Sequence, residues 1–136
     1  MASLLVVDDD PHVCELLRRL LSRAGHAVTC AGSGAEGLAA LRERTPDLLI
    51  LDWMMPEIDG AEVLRRLRAD PQTRSVRVMV YTAADEPAVE REAMRLGALD
   101  CVPKVGRFHD LRERIECCLR FQRDAPGGKA RSAHGC

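Results

Sequence analysis

Short apolar runs alternate along this chain with longer stretches of helical rhythm. Leu4–Val7, Ala27–Cys30, Leu48–Leu51, Val76–Tyr81 and Leu99–Val102 have the length and aliphatic character of strands, and each precedes a segment whose apolar residues recur every three or four positions. The pattern predicts five β-α units. In the first helical segment Val13, Leu16, Leu17, Leu20 and Leu21 form an apolar face, Pro11 stands in the first turn, and Gly25 marks the stop. Ala35, Leu38 and Leu41 predict a second helix, with Pro46 beyond its end, and Val63, Leu64 and Leu67 a third after Gly60. Val89, Ala93 and Leu96 mark a fourth that ends at Gly97, and Phe108, Leu111, Ile115, Cys118 and Leu119 mark a fifth.

Strands that read as nearly continuous apolar runs belong to a sheet covered by helices on both faces. Right-handed crossovers and short loops then favour a flavodoxin-like α/β fold, with a five-stranded parallel sheet in the order 2-1-3-4-5. In that order the carboxyl ends of strands 1 and 3 meet at the topological switch point, where such sheets bind ligands. One folded domain is expected over residues 1–121. Residues 122–136 contain Pro126 and Gly127-Gly128 and lack apolar periodicity, so they read as a disordered tail or a linker cut from a longer protein.

Composition narrows the function classes. A chain of 136 residues, 46% hydrophobic, is one ordinary domain with a real core. Lys and Arg total 20 against 21 for Asp and Glu, a net charge of −1, without the positive excess of a typical nucleic-acid binder, so no direct DNA binding is expected. The first apolar run, Leu4 to Val7, is too short for a signal-peptide core or a membrane span, and a cytoplasmic protein without membrane contact is expected. Six cysteines are scattered without a C-x-x-C pair or a histidine at zinc-ligand spacing; they read as reduced thiols used as small apolar filler, with terminal Cys136 open to oxidation.

The chemistry gathers at strand ends. Asp8-Asp9-Asp10 follows strand 1 and Asp52 follows strand 3, so the predicted topology brings several carboxylates to the ligand-binding edge. Like charges that close raise one another's pKa, and a hard cation with oxygen ligands, Mg²⁺ above all, relieves them. Asp10, directly before Pro11, reads better as the N-cap of helix 1 than as a metal ligand. Thr82 at the end of strand 4 and Lys104 after strand 5 bring a hydroxyl and an ammonium to the same edge, a pair able to neutralise phosphoryl oxygens.

Four stretches carry a family resemblance: Leu5-Val6-Val7-Asp8-Asp9-Asp10-Pro11, the run from Asp47 through Asp52-Trp53-Met54-Met55-Pro56 to Asp59-Gly60, Val80-Tyr81-Thr82-Ala83-Ala84, and Gly97-Ala98-Leu99-Asp100-Cys101-Val102-Pro103-Lys104. With matching intervals between them, these stretches resemble the response-regulator receiver family of two-component systems, over roughly residues 3–120. The resemblance implies a phospho-acceptor switch rather than an enzyme acting on other substrates. Asp52 would be the nucleophile, taking a phosphoryl group from a sensor histidine kinase, a phosphotransfer protein or a small acyl phosphate. Asp9, Asp52 and the backbone carbonyl of Met54 would bind Mg²⁺, with Mn²⁺ as a substitute, and Asp8 would act through a water. Thr82 and Lys104 would contact the phosphoryl group, and the change would be passed to an unidentified protein target.

The loop from Met55 to Gly60 is expected to be structural, with Pro56 stiffening the turn and Gly60 supplying a φ that other residues resist; Trp53 is expected to be partly buried beside the acceptor. Two positions depart from the family pattern. Val105 replaces the proline that usually follows the lysine, predicting trans peptides at Lys104–Val105 and Val102–Pro103, and Cys101 replaces the usual switch aromatic. Met54 and Ala84, two residues after Asp52 and Thr82, cannot orient an attacking water, so the acyl phosphate is expected to hydrolyse slowly. The alternatives are a receiver fragment of a hybrid kinase or multidomain regulator, and a phosphate-independent pseudo-receiver. A haloacid-dehalogenase-type hydrolase would need an aspartate where Met54 stands.

Overall fold

The structure, a computed structural model, describes residues 1–83 and 86–121. Five units follow one another: β1 (Ser3–Val7), α1 (Pro11–Arg23), β2 (Ala27–Ala31), α2 (Gly34–Glu43), β3 (Leu48–Leu51), α3 (Gly60–Ala69), β4 (Val78–Thr82), α4 (Pro87–Arg95), β5 (Asp100–Pro103) and α5 (Phe108–Arg120). All strand pairs are parallel and the order is β2-β1-β3-β4-β5, as the alternation predicts.

Successive residues of a strand face opposite sides, and the core divides accordingly. Leu4, Val6, Leu48, Ile50 and Met79 pack with α1 and α5 through Cys14, Leu17, Leu21, Leu111, Ile115 and Cys118. Leu5, Val7, Leu49, Leu51, Val78 and Val80 pack with α2, α3 and α4 through Leu38, Leu41, Val63, Leu64, Leu67 and Ala93. Burying a Leu, Val or Ile side chain contributes roughly 1.5–3 kcal/mol, so these two layers fix the sheet between its helices.

The helix ends follow their chemistry. The Asp10 carboxylate accepts the His12 N–H at 2.9 Å, which makes it the α1 N-cap. Gly25 after α1 and Gly97 after α4 have φ of 93° and 96°, the left-handed region that suits glycine at a helix stop.

Local rhythm misplaces some positions. Leu16, expected on the inner face of α1, is 56% exposed, because Cys14, Leu17 and Leu21 form the buried stripe. Ala35 is exposed for the same reason, the buried stripe of α2 running through Gly34, Gly37, Leu38 and Leu41. Strand 4 starts at Val78 rather than Val76, since the Val76 N–H donates to Thr73 O and its carbonyl accepts from Arg68 Nη1 at 2.7 Å, which ties the residue into a turn. β2 is an edge strand that alternates in burial rather than running buried. Residues 122–136, read as a tail or linker, lie outside the described residues.

Candidate functional site

Strand register creates the site. Val7 of β1 pairs with Leu51 of β3, so Asp8 and Asp52 leave the sheet side by side. The Asp8 N–H donates to Ala31 O at 3.1 Å and the Asp52 N–H donates to Val7 O at 2.9 Å, which fixes both backbones. On the other side Thr82 pairs with Pro103, and the Lys104 N–H donates to Thr82 O at 2.9 Å, bringing the lysine to the same edge. Carboxylate oxygens of Asp8, Asp9 and Asp52 all lie within 4.8 Å of one another. Asp8 and Asp52 are buried, as is Thr82, while Asp9 is exposed.

Lys104 is the counter-charge. Its Nζ donates to Asp8 Oδ2 at 2.6 Å and lies 3.5 Å from Asp52 Oδ1. The other Asp8 oxygen accepts the Asp10 N–H at 2.9 Å, and the Met54 N–H approaches Asp52 Oδ1 at 3.4 Å. Met54 itself points outward, 63% exposed.

Burial, then the charge of Asp8 and that of Asp9, push the Asp52 carboxyl up to about 6, against the opposing pull of Lys104 and the Met54 N–H. Burial works against the charge on Lys104, yet its hydrogen bond to Asp8 and the charges of Asp52 and Asp8 hold the ammonium above its ordinary range. A carboxyl raised by burial and then by neighbouring carboxylates, in a set of oxygen donors only, fits a hard divalent cation.

The loop after β3 differs in detail from the expectation. Gly60 has no positive φ; the residue with one is Glu57, at 66°. Glycine is required at position 60 by crowding, since a Cβ there would stand 2.5 Å from Asp52 O and 2.7 Å from Trp53 Cα. The Gly60 N–H also donates to Trp53 O at 2.9 Å, and the Asp59 carboxylate caps α3 by accepting the Glu62 N–H. Trp53 is buried more deeply than expected, packed in the α2-α3-α4 layer.

Sequence reading missed two supports. The Cys14 thiol donates to Asp8 O at 3.5 Å, and burial pushes that thiol up to about 12, so it remains protonated beneath the acidic cluster. Asp100, wholly buried, is gripped by Arg114 of α5 through two hydrogen bonds, the Nε contact at 2.7 Å, and caps the Cys101 N–H. The lone acidic residue in an apolar strand was the available signal for that pair.

Residues 4–116 match the family described as the response regulator receiver domain. The chain belongs to this family. The transcriptional regulatory protein AfsQ1 of Streptomyces coelicolor is 40% identical over 120 residues, 88% of this chain and 52% of that protein. The phosphate regulon transcriptional regulatory protein PhoB of Rhizobium meliloti is 37% identical over 120 residues, 88% of this chain and 53% of that protein. Among solved structures, the response regulator TrrA of Thermotoga maritima in complex with Mg²⁺ and BeF superposes with a TM-score of 0.77 at 30% identity, covering 87% of this chain and 99% of that one. The receiver spans about half the length of the two curated relatives.

These relatives correct one expectation. A near-neutral charge led to the expectation of no direct DNA binding, but AfsQ1 and PhoB are named as transcriptional regulators, and this chain covers only about half of each. Charge over this stretch reports only on this stretch.

Among the described residues every peptide bond of the receiver is trans, Lys104–Val105 and Val102–Pro103 included. Cys101 is half-buried at the switch-aromatic position, beside Val80 in register and packed on the α2-α3-α4 layer. Cys14, Cys30, Cys101, Cys117 and Cys118 are free thiols; Ala84 and Cys136 lie outside the described residues. No described helix is long and apolar enough to cross a membrane.

Proposed function

We propose that this receiver is a Mg²⁺-dependent phospho-acceptor whose nucleophile is Asp52. The observation that carries this reading is the convergence of Asp8, Asp9 and Asp52 within 4.8 Å, with Lys104 bridging Asp8 and Asp52. Asp9, Asp52 and the Met54 carbonyl would hold the ion directly and Asp8 would hold it through a water. When bound, Mg²⁺, for which Mn²⁺ would substitute, supplies charge neutralisation to the phosphoryl oxygens.

An Asp52 oxygen attacks the phosphorus of a sensor kinase phosphohistidine or of an acyl phosphate; the new O–P bond forms as the donor's N–P or O–P bond breaks, and the donor leaves with the electron pair. Lys104 exchanges Asp8 for a phosphoryl oxygen, and the Thr82 hydroxyl donates to another. Since Lys104 and Thr82 are joined through the backbone and Cys101 offers no aromatic lever, the change passes through repacking of the loops around them. The folded receiver is taken as residues 1–121 and its compartment as the cytoplasm, where its free thiols stay reduced. Its output is transcriptional, by likeness to AfsQ1 and PhoB.

The test is intact-mass spectrometry after incubation with acetyl phosphate and Mg²⁺. One phosphoryl adduct is expected on the native chain, none without Mg²⁺ and none on Asp52→Asn. An undiminished adduct on Asp52→Asn overturns the assignment.

A further inference from the structure

Lys104 has little to hold its side chain from the loop that follows it. Val105 is 74% exposed, and Gly106 turns away with φ of 112°. The Lys104 N–H donates to Thr82 O at 2.9 Å, which fixes the main chain and not the amine. Among the described residues the side chain has two anchors. The first is the acidic pair, with Asp8 at 2.6 Å and Asp52 at 3.5 Å. The second is aromatic: the ammonium stands over the ring of Tyr81, 5.9 Å from its centroid.

Tyr81 is the only tyrosine of the chain, one residue before Thr82, on the opposite face of β4 from Val80. It is half-buried against the α1-α5 layer and borders a cavity of about 320 Å³ with Leu16, Leu20, Val105 and Phe108. Its ring is thereby fixed by packing that does not depend on the state of Asp8. A cation within about 6 Å of a ring centroid is attracted to the ring face, more strongly when both are shielded from water. Lys104 is shielded, its side chain 17% exposed.

We propose that Tyr81 is a positioning residue for Lys104, its ring face keeping the ammonium at the acceptor when the lysine exchanges Asp8 for the incoming phosphoryl group. The ring, rather than the hydroxyl, performs this role. The inference rests on the phospho-acceptor reading for its consequence, while the Lys104–Tyr81 contact exists without phosphate.

The chain has two lysines, Lys104 and Lys129, so selective ¹³C-lysine labelling gives two ε-methylene signals, assigned with K129R. In the full chain the Lys104 ε-methylene protons are expected upfield from the ring current, retained in Y81F and lost in Y81L. Phosphorylation by acetyl phosphate, measured well below the melting temperature of each variant, is expected to be about fivefold slower in Y81L and restored in Y81F. Mg²⁺ affinity, read from Trp53 fluorescence, is expected to change by less than about twofold, because the ring touches no carboxylate of the set. A Lys104 signal with no upfield shift, or one that survives in Y81L, overturns the proposal, as does a wild-type rate in Y81L or a Y81F variant as slow as Y81L. If the native chain takes no phosphoryl group, the phospho-acceptor reading fails and the methylene shift still decides the contact.

Discussion

Lys104 Nζ donates a 2.6 Å hydrogen bond to Asp8 Oδ2, across 96 positions of sequence, and so stands where a metal's charge would be used. A half-buried ammonium on a buried carboxylate is a competitor for any cation at that carboxylate. Lys104→Ala is expected to tighten Mg²⁺ binding by about tenfold, the loss of roughly 1.4 kcal/mol of competing interaction. Titration of Trp53 fluorescence measures it; unchanged or weaker binding means that the pair does not gate the site.

Asp52 sets a pH dependence. Its folded-state value, about 6, lies above the ordinary 3.8, so the folded chain holds the proton more tightly than the unfolded one. Stability from this group is therefore fully present below about pH 4 and is lost as pH rises through about 6. Asp52→Asn, which removes the charge, is expected to stabilise the metal-free protein by roughly 2 kcal/mol at pH 7.5 and by almost nothing at pH 4. Urea unfolding in EDTA at the two pH values checks this, and an equal gain at both refutes it.

Gly60 admits no side chain. Its Cβ would fall 2.5 Å from Asp52 O, a backbone atom that cannot move without displacing the acceptor. Gly60→Ala is expected to cost about 2–3 kcal/mol by overpacking and to slow phosphorylation of the remaining folded protein. Denaturant midpoints and adduct formation are the measurements; native values for both would show that the loop relaxes freely.

The pair formed by Asp100 and Arg114 clamps α5 to β5 four residues before Lys104. Asp100 is wholly buried but the Arg114 side chain is 33% exposed, so losing the carboxylate leaves an arginine that water partly reaches, at a cost of about 1.5 kcal/mol. Asp100→Asn is expected to show that loss in urea. Because Arg114 is partly exposed, Arg114→Leu is expected to cost less than an Ala there, its aliphatic body still covering the sheet.

Met54 lies at the mouth of the site with no polar side-chain atom to orient water. Met54→Asn is expected to speed hydrolysis of the acyl phosphate by about tenfold or more, within the usual range for a group that positions a proton-transferring water. Decay of the intact-mass adduct after removal of the donor gives the rate, and an unchanged half-life disproves the role.

Much of the fold was legible because its signals are local and repetitive. Alternate residues of β1, β3 and β4 segregate into two layers for the same reason that they read as apolar strands, and Asp10, Gly25 and Gly97 stop or start helices through dihedral and hydrogen-bond preferences of their own. The acidic cluster was legible because strand order follows from crossover handedness, and carboxylates placed after β1 and β3 must then meet. Leu16 and Ala35 were misplaced because helical periodicity fixes a face only to within a residue or so, and the neighbouring helix decides which edge of that face is covered.

The sequence by itself determined the elements, their layering and the chemical kinds of residue at the sheet edge, since each depends on spacing along the chain. Only the tertiary structure decided pairings between distant groups: Lys104 with Asp8 and Tyr81, Asp100 with Arg114, and Arg68 with the carbonyls of Arg74, Val76 and Gly97. It also decided why residue 60 is glycine, which is crowding by the Asp52 backbone rather than its own dihedral. The physical reason is common to all of them: a buried polar group takes the partner that register and packing bring within about 3 Å, and no local repeat in the chain encodes that distance.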